Sequence, residues 1–131
     1  MKSFRLMLGA LALVAASQAN AGAVVAASGS KAAPMDAEAA KRVFLGRDPN
    51  AQVIYQKGGA TRDAFDKTVL GKVGAELTTY WSRLIFTGKA KAPVEVGSDA
   101  EVKAKLAANP NAVGYISDAA VDGSVKVLHK F

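Results

Sequence analysis

The sequence predicts an α/β fold, with a small, mostly parallel sheet flanked by about four helices. Two observations lead there. Short segments of strand character recur at 23–27, 51–56, 112–117 and 125–128, and stretches of helical period lie between the first three. Glycine, proline, asparagine or aspartate stands at nearly every boundary between them.

Each element has its own warrant. Ala23–Ala27 reads as a strand of small residues, broken by Ser28-Gly29-Ser30, with a loop to Pro34. Asp36 is placed to cap a helix over about 37–45, because its carboxylate can accept from free N–H groups of the first turn. Glu38 faces Arg42 at i,i+4, Ala40 and Phe44 share a face, and Gly46 is placed to end the helix. In the strand 51–56, Val53 and Tyr55 fall on one face and Ile54 on the other. Lys57-Gly58-Gly59-Ala60 is a tight loop, and Thr61 opens a helix to about Leu70 with Phe65 and Val69 inward.

The strongest periodic signal is the helix 75–87. Leu77, Trp81, Leu84 and Ile85 recur at helical spacing, and Gly88 caps its end. Residues 89–97 read as an exposed basic connector. Ser98-Asp99-Ala100-Glu101 is a capping-box pattern, with Val102 and Leu106 as the buried stripe and Asn109-Pro110 as the stop. Val113 and Tyr115 alternate with Gly114 and Ile116 in the next strand, and Asp122-Gly123 turns the chain into the last.

The N-terminus reads as a cleavable export leader over 1–21. Lys2 and Arg5 precede an apolar run from Leu6 to about Ala16, and Ala19-Asn20-Ala21 is an A-x-A site. The run is short of the roughly 20 residues that a membrane span needs. The chain has no cysteine, so a lipid-modified form of such a leader is excluded, and so is any disulfide staple. The expected product is one domain over 22–131, free in the periplasm with no membrane anchor. Packing alone must hold it.

Charge narrows the function. Without Lys2 and Arg5 the chain carries 15 basic residues against 11 acidic ones, a net charge of +4. The basic residues are spread from Lys31 to Lys130 without a dense block, which argues against a nucleic-acid partner. A mild positive field favours anions. The one histidine, His129, stands near the C-terminus, so metal sites and histidine-based catalysis lack material. No enzyme activity and no cofactor are expected.

The informative place is the strand-to-helix junction at 56–65. A glycine-rich turn there can aim backbone N–H groups into space at a helix N-terminus, a general anion site. Lys57, Gly58, Gly59, Ala60, Thr61 and Arg62 are its candidate residues: Thr61 adds a hydroxyl, Lys57 and Arg62 add charge. The same residues also read as an ordinary capped helix with solvated charges. Ser28 and Ser30 are further candidates, able to cap a turn or to donate to a ligand. Tyr80-Trp81 reads as core or as a ligand cleft. Asp63 and Asp66 share a helix without the marks of an acid–base pair, and Asp118 and Asp122 read as turn residues.

Four segments in order carry a resemblance: Val43-Phe44-Leu45-Gly46-Arg47, Thr61-Arg62-Asp63-Ala64-Phe65, Tyr80 to Lys89, and Asn111 to Ile116. Together they resemble the short phosphate ABC-transporter-type periplasmic substrate-binding proteins, over about residues 24–129. The resemblance implies a single lobe of a periplasmic-binding-protein-like fold and an oxyanion held by amides and hydroxyls at a strand-to-helix loop. Full-length members read arginine, two or three residues, then Ser-Gly-Thr. The matching positions here are Gly59-Ala60-Thr61: Thr61 is kept, Gly59 replaces the serine and no arginine precedes the loop. The function so implied is weak binding of phosphate or a related oxyanion, linked to phosphate import, with an ABC permease or envelope protein as partner. The alternative is a non-binding accessory module with a vestigial anion site.

Overall fold

The structure, a computed structural model, describes residues 20–48 and 50–131. Residues 1–19, where most of the expected leader falls, lie outside the described residues.

The elements run β1 (Gly22–Ala27), α1 (Ala37–Phe44), β2 (Gln52–Gln56), α2 (Ala60–Phe65), α3 (Gly74–Phe86), β3 (Val94–Val96), α4 (Asp99–Ala108), β4 (Ala112–Ser117) and β5 (Val125–Lys130). A π-helical turn, Asp66–Leu70, continues α2, and a 3-10 turn, Asp118–Ala120, follows β4. The sheet order is β3-β2-β4-β1-β5. Strand β2 pairs parallel with β3 and β4, whereas β1 pairs antiparallel with β4 and β5. Four strands therefore share one direction and only β1 opposes them.

Alternation along the strands builds one core on each face. Val53, Tyr55, Val113 and Tyr115 face α1, α2 and α3, and Ile54, Ala112, Ile116 and Val96 face α4. The first face is aromatic. Phe65 stacks on Tyr115 with centroids 4.0 Å apart, and Phe44 meets Phe65 edge-on at 4.8 Å. Buried hydroxyls there are satisfied: Tyr55 Oη donates to the Phe44 carbonyl and accepts from Trp81 Nε1 at 3.3 Å. Tyr80 Oη donates to the Leu45 carbonyl at 2.8 Å. On the other face Gly114 lets α4 sit close, since a Cβ there would lie 2.7 Å from Val102 Cγ1.

The predicted caps form. Asp36 Oδ1 accepts from Ala39 N at 2.8 Å, and Ser98 Oγ accepts from Glu101 N at 3.2 Å. Glu101 reaches back to Gly97 N at 2.7 Å, one residue earlier than a capping box requires.

Four expectations are corrected. The stretch 89–97 contains β3, a three-residue edge strand, rather than connector alone. The helix expected over 61–70 starts at Ala60, capped by Gly59 instead of Thr61, and becomes π-helical at Asp66. The wider turn brings both Val69 and Leu70 inward. Ile85, expected to recur with the stripe of α3, is 43% exposed, because among the described residues no element covers that side of the helix. Among the described residues Glu38 and Arg42 make no ion pair.

Candidate functional site

The carboxyl ends of β2 and β3 lie side by side, and their following helices go to opposite faces: α2 to the aromatic face, α4 to the other. That divergence opens a crevice at the strand ends, the usual ligand position in open α/β sheets. The Lys57 N–H, donating to the Val96 carbonyl at 2.8 Å, ties its floor.

One wall is the turn Gly58-Gly59 and the start of α2. Gly59 has φ +101° and opens onto empty space, a conformation that a side chain would oppose. The first helical bond into this turn is Asp63 N–H to the Gly59 carbonyl, at 3.0 Å. Among the described residues the N–H groups of Gly58, Gly59, Ala60, Thr61 and Arg62 meet no acceptor. Such groups carry the partial positive charge of a helix start.

The other wall is the start of α4. Asp99 lies at its first position and is held from three sides: Gln56 Nε2 donates to Oδ1 at 2.7 Å, Ser117 N to Oδ1 at 3.2 Å, and Ser117 Oγ to Oδ2 at 2.7 Å. Partial burial alone would raise this carboxyl, but the bonds from Ser117 and Gln56 outweigh it and hold Asp99 below the usual carboxylate range. The buried Gln56 amide also donates to the Tyr115 carbonyl at 3.1 Å, locking β2 to β4 beneath the crevice.

Arg62 bends back instead of reaching over the turn. Its Nη1 donates to the Gln56 carbonyl at 2.6 Å and meets Glu95 Oε2 at 3.4 Å, while Nε donates to Asp66 Oδ2 at 2.9 Å. The guanidinium lies over the Tyr55 ring, 4.9 Å from its centroid. Asp66 is 6% exposed, and its second oxygen has no partner. Burial raises its carboxyl above the ordinary value, with Arg62 pulling the other way.

Two solved structures are similar to this fold. One is an ABC-type phosphate transport receptor from Vibrio cholerae, with a TM-score of 0.64, 21% identity, 83% of this chain covered and 45% of that one. The other is described as a phosphate ABC transporter substrate-binding protein from Clostridium perfringens, with bound phosphate; its TM-score is 0.63, its identity 20%, and the cover 83% and 44%. This chain has the fold of one periplasmic-binding-protein-like lobe. It spans less than half the length of either neighbour. No protein-family model and no curated protein matches it.

On this lobe the predicted residues separate into two groups. Lys57, Gly58, Gly59, Ala60 and Thr61 gather at the crevice, the first four exposed and Thr61 half-buried. Arg62 stands beside them, committed to its internal acceptors. Ser28 and Ser30 do not join them. Because β1 runs against its neighbours, these serines follow it at the opposite end of the strands, where Ser30 Oγ donates to the Pro110 carbonyl at 3.2 Å and accepts from Ala32 N at 3.1 Å. Trp81 is buried, and with Tyr80 it borders an open groove of about 1200 Å³ at the amino-terminal end of β2 and β4.

Sequence reasoning missed Gln56, Glu95, Asp99 and Ser117 as crevice residues. The capping box at 98–101 was the available signal. Had Val94–Val96 been read as a strand, a second strand-to-helix junction would have placed Asp99 opposite Gly59.

Proposed function

We propose that this protein is an exported solute-binding protein whose lobe holds phosphate or a related oxyanion weakly at the β2–α2 turn, in the service of phosphate import. The observation that carries the reading is the set of N–H groups from Gly58 to Arg62, uncommitted among the described residues, at the carboxyl end of β2. Lys57 adds an exposed cation. The similarity to receptors of phosphate transport supports the ligand class. Weakness follows from Arg62, whose charge is spent on Asp66 and Glu95.

Calorimetric titration with phosphate at low salt, with sulfate as the control, tests it. Heat of binding in the millimolar range is expected, as is a matching rise in melting temperature. Ala60→Pro makes the test specific. Proline fits the first helical position but lacks the N–H, and a hydrogen bond to an anion is worth about 1.5–3 kcal/mol, so affinity should fall about tenfold or more. Absence of any phosphate effect on the wild type would overturn the reading. It would leave the second one, an accessory module of an envelope complex, which the inward turn of Arg62 favours.

A further inference from the structure

Among the described residues the exposed large hydrophobics are Val73 (50%), Ile85 (43%) and Phe86 (93%), and all three belong to α3 or its N-cap. Of these, Phe86 stands on the outward side of the helix, Ile85 lies to one flank of that side, and Val73 precedes the first turn as its N-cap. The inward side of α3 is occupied by Leu77 and Trp81, which are buried, and by Tyr80 and Leu84, which are half-buried. The outward side runs Ala75, Thr79, Ser82, Phe86, all exposed and uncharged. Their spacing of four, three and four is the alternation of a coiled-coil seam, in which the inward residues take the positions opposite the seam.

Charge flanks this seam in a self-complementary way. Glu76 and Arg83 lie on the same side of it, one near each end of the helix. In an antiparallel pair of α3 helices the small central residues Thr79 and Ser82 cross over each other. Each Arg83 then faces the partner's Glu76, and each Phe86 lies over the partner's Ala75. Arg83 makes no ion pair among the described residues. Among the described residues the Glu76 carboxylate pairs with Lys72 alone, at 3.9 Å, and its side chain is 63% exposed. A shallow groove beside the seam, bordered by Lys72, Glu76, Tyr80 and Arg83, gives the incoming side chain a seat. A parallel pairing would set Glu76 and Arg83 against the uncharged flank of the partner, at Thr78 and Ile85, and leave Phe86 against Phe86 at one end, so the two-fold antiparallel arrangement is the one that pairs the charges.

We infer that the outward face of α3 is a self-association surface, on which a second copy of this chain docks as an antiparallel, two-fold dimer. A helix of 13 residues is only about 20 Å long, so the buried area is at the low end for protein pairs and the dimer is weak. Sedimentation equilibrium of the purified, processed protein over a wide concentration range reads it. A monomer–dimer equilibrium is expected. Phe86→Lys should raise the dissociation constant about tenfold or more, and Arg83→Glu should weaken the dimer, with the double exchange Glu76→Arg and Arg83→Glu restoring it. These positions are exposed, so the monomer fold is spared. Since the chain has no cysteine, Thr79→Cys supplies a second reading: a short bis-maleimide should link two copies there and not at Ala104→Cys on α4. A wild type that stays monomeric at the highest concentration, charge exchange without rescue, or equal linking at 79 and 104 would each overturn the inference.

Discussion

Two aspartates on either side of Arg62 and Gln56 show how much a carboxylate's partners matter. Asp99 accepts three hydrogen bonds and is held below the usual range; Asp66 is more buried, keeps one oxygen unpaired, and is raised. Their pH signatures therefore have opposite signs. The Asp99 contribution to stability is present above the ordinary carboxylate value and is lost as pH falls through its lowered folded value. The Asp66 contribution is greatest below the ordinary value and is lost as pH rises through its raised folded value. Urea midpoints measured from pH 7 down to about pH 3 should show the stability advantage of wild type over Asp99→Asn shrinking toward acid. The balance between wild type and Asp66→Asn should move the other way, toward wild type. A pH-independent difference for both variants would contradict the assignment. None of this was readable in the sequence: Asp99 stands 43 residues from Gln56 and 18 from Ser117, and only the fold joins them. The loop 57–62 was legible because glycine and threonine mark a turn and a helix start locally. The fate of Arg62 was not, since its acceptors include Glu95, on a strand too short to announce itself.

Elements with a strong period announced themselves, and elements shaped by tertiary packing did not. The α3 stripe, the capped starts of α1 and α4 and the alternation in β4 follow from local pattern and were expected to within a residue or two. Strand β3 was hidden because three residues carry no period, a proline precedes them, and Glu95 puts charge in the middle. The close seat of α4 was hidden as well. Gly114 reads as a weak strand residue, yet it is the notch that admits Val102. A Cβ at 114 would lie 2.7 Å from Val102 Cγ1 and 3.3 Å from Ile54 Cβ, so Gly114→Ala forces the helix or the strand to shift. Overpacking of that kind costs about 1–3 kcal/mol. Adding Val102→Ala removes the clashing methyl groups. The double variant should then be less destabilised than the sum of the singles by urea unfolding, a coupling expected only for residues in contact. Strict additivity would mean that α4 does not rest on the notch.

For the whole molecule the order β3-β2-β4-β1-β5 matters most, because it threads the first strand between the last two. The chain is tied into the sheet from Ala21 onward. Ala21 N donates to the Phe131 carbonyl at 2.7 Å, and Asp118 N donates to the Ala21 carbonyl at 3.2 Å. Gly22 pairs with Ser117, and a Cβ there would lie 2.4 Å from the Ile116 carbonyl oxygen. Val24, Val25 and Ala26 behind it are fully buried. An export leader that is cut must therefore be cut where the sheet begins and no later. Cleavage after Ala21 leaves Gly22 as the first residue, with its nitrogen still 3.2 Å from the Phe131 carbonyl and all of β1 intact. Cleavage after Ala23 would remove the partners of Ile116 and Lys130 and leave β4 and β5 joined by a shortened strand. No disulfide could compensate, since the chain has no cysteine. Intact-mass measurement of protein recovered from the envelope should thus give a chain starting at Gly22. A variant made to start at Val24 should unfold at lower urea than one starting at Gly22. A recovered chain that begins at Val24 and is equally stable would show that the first two residues of β1 are dispensable to the sheet.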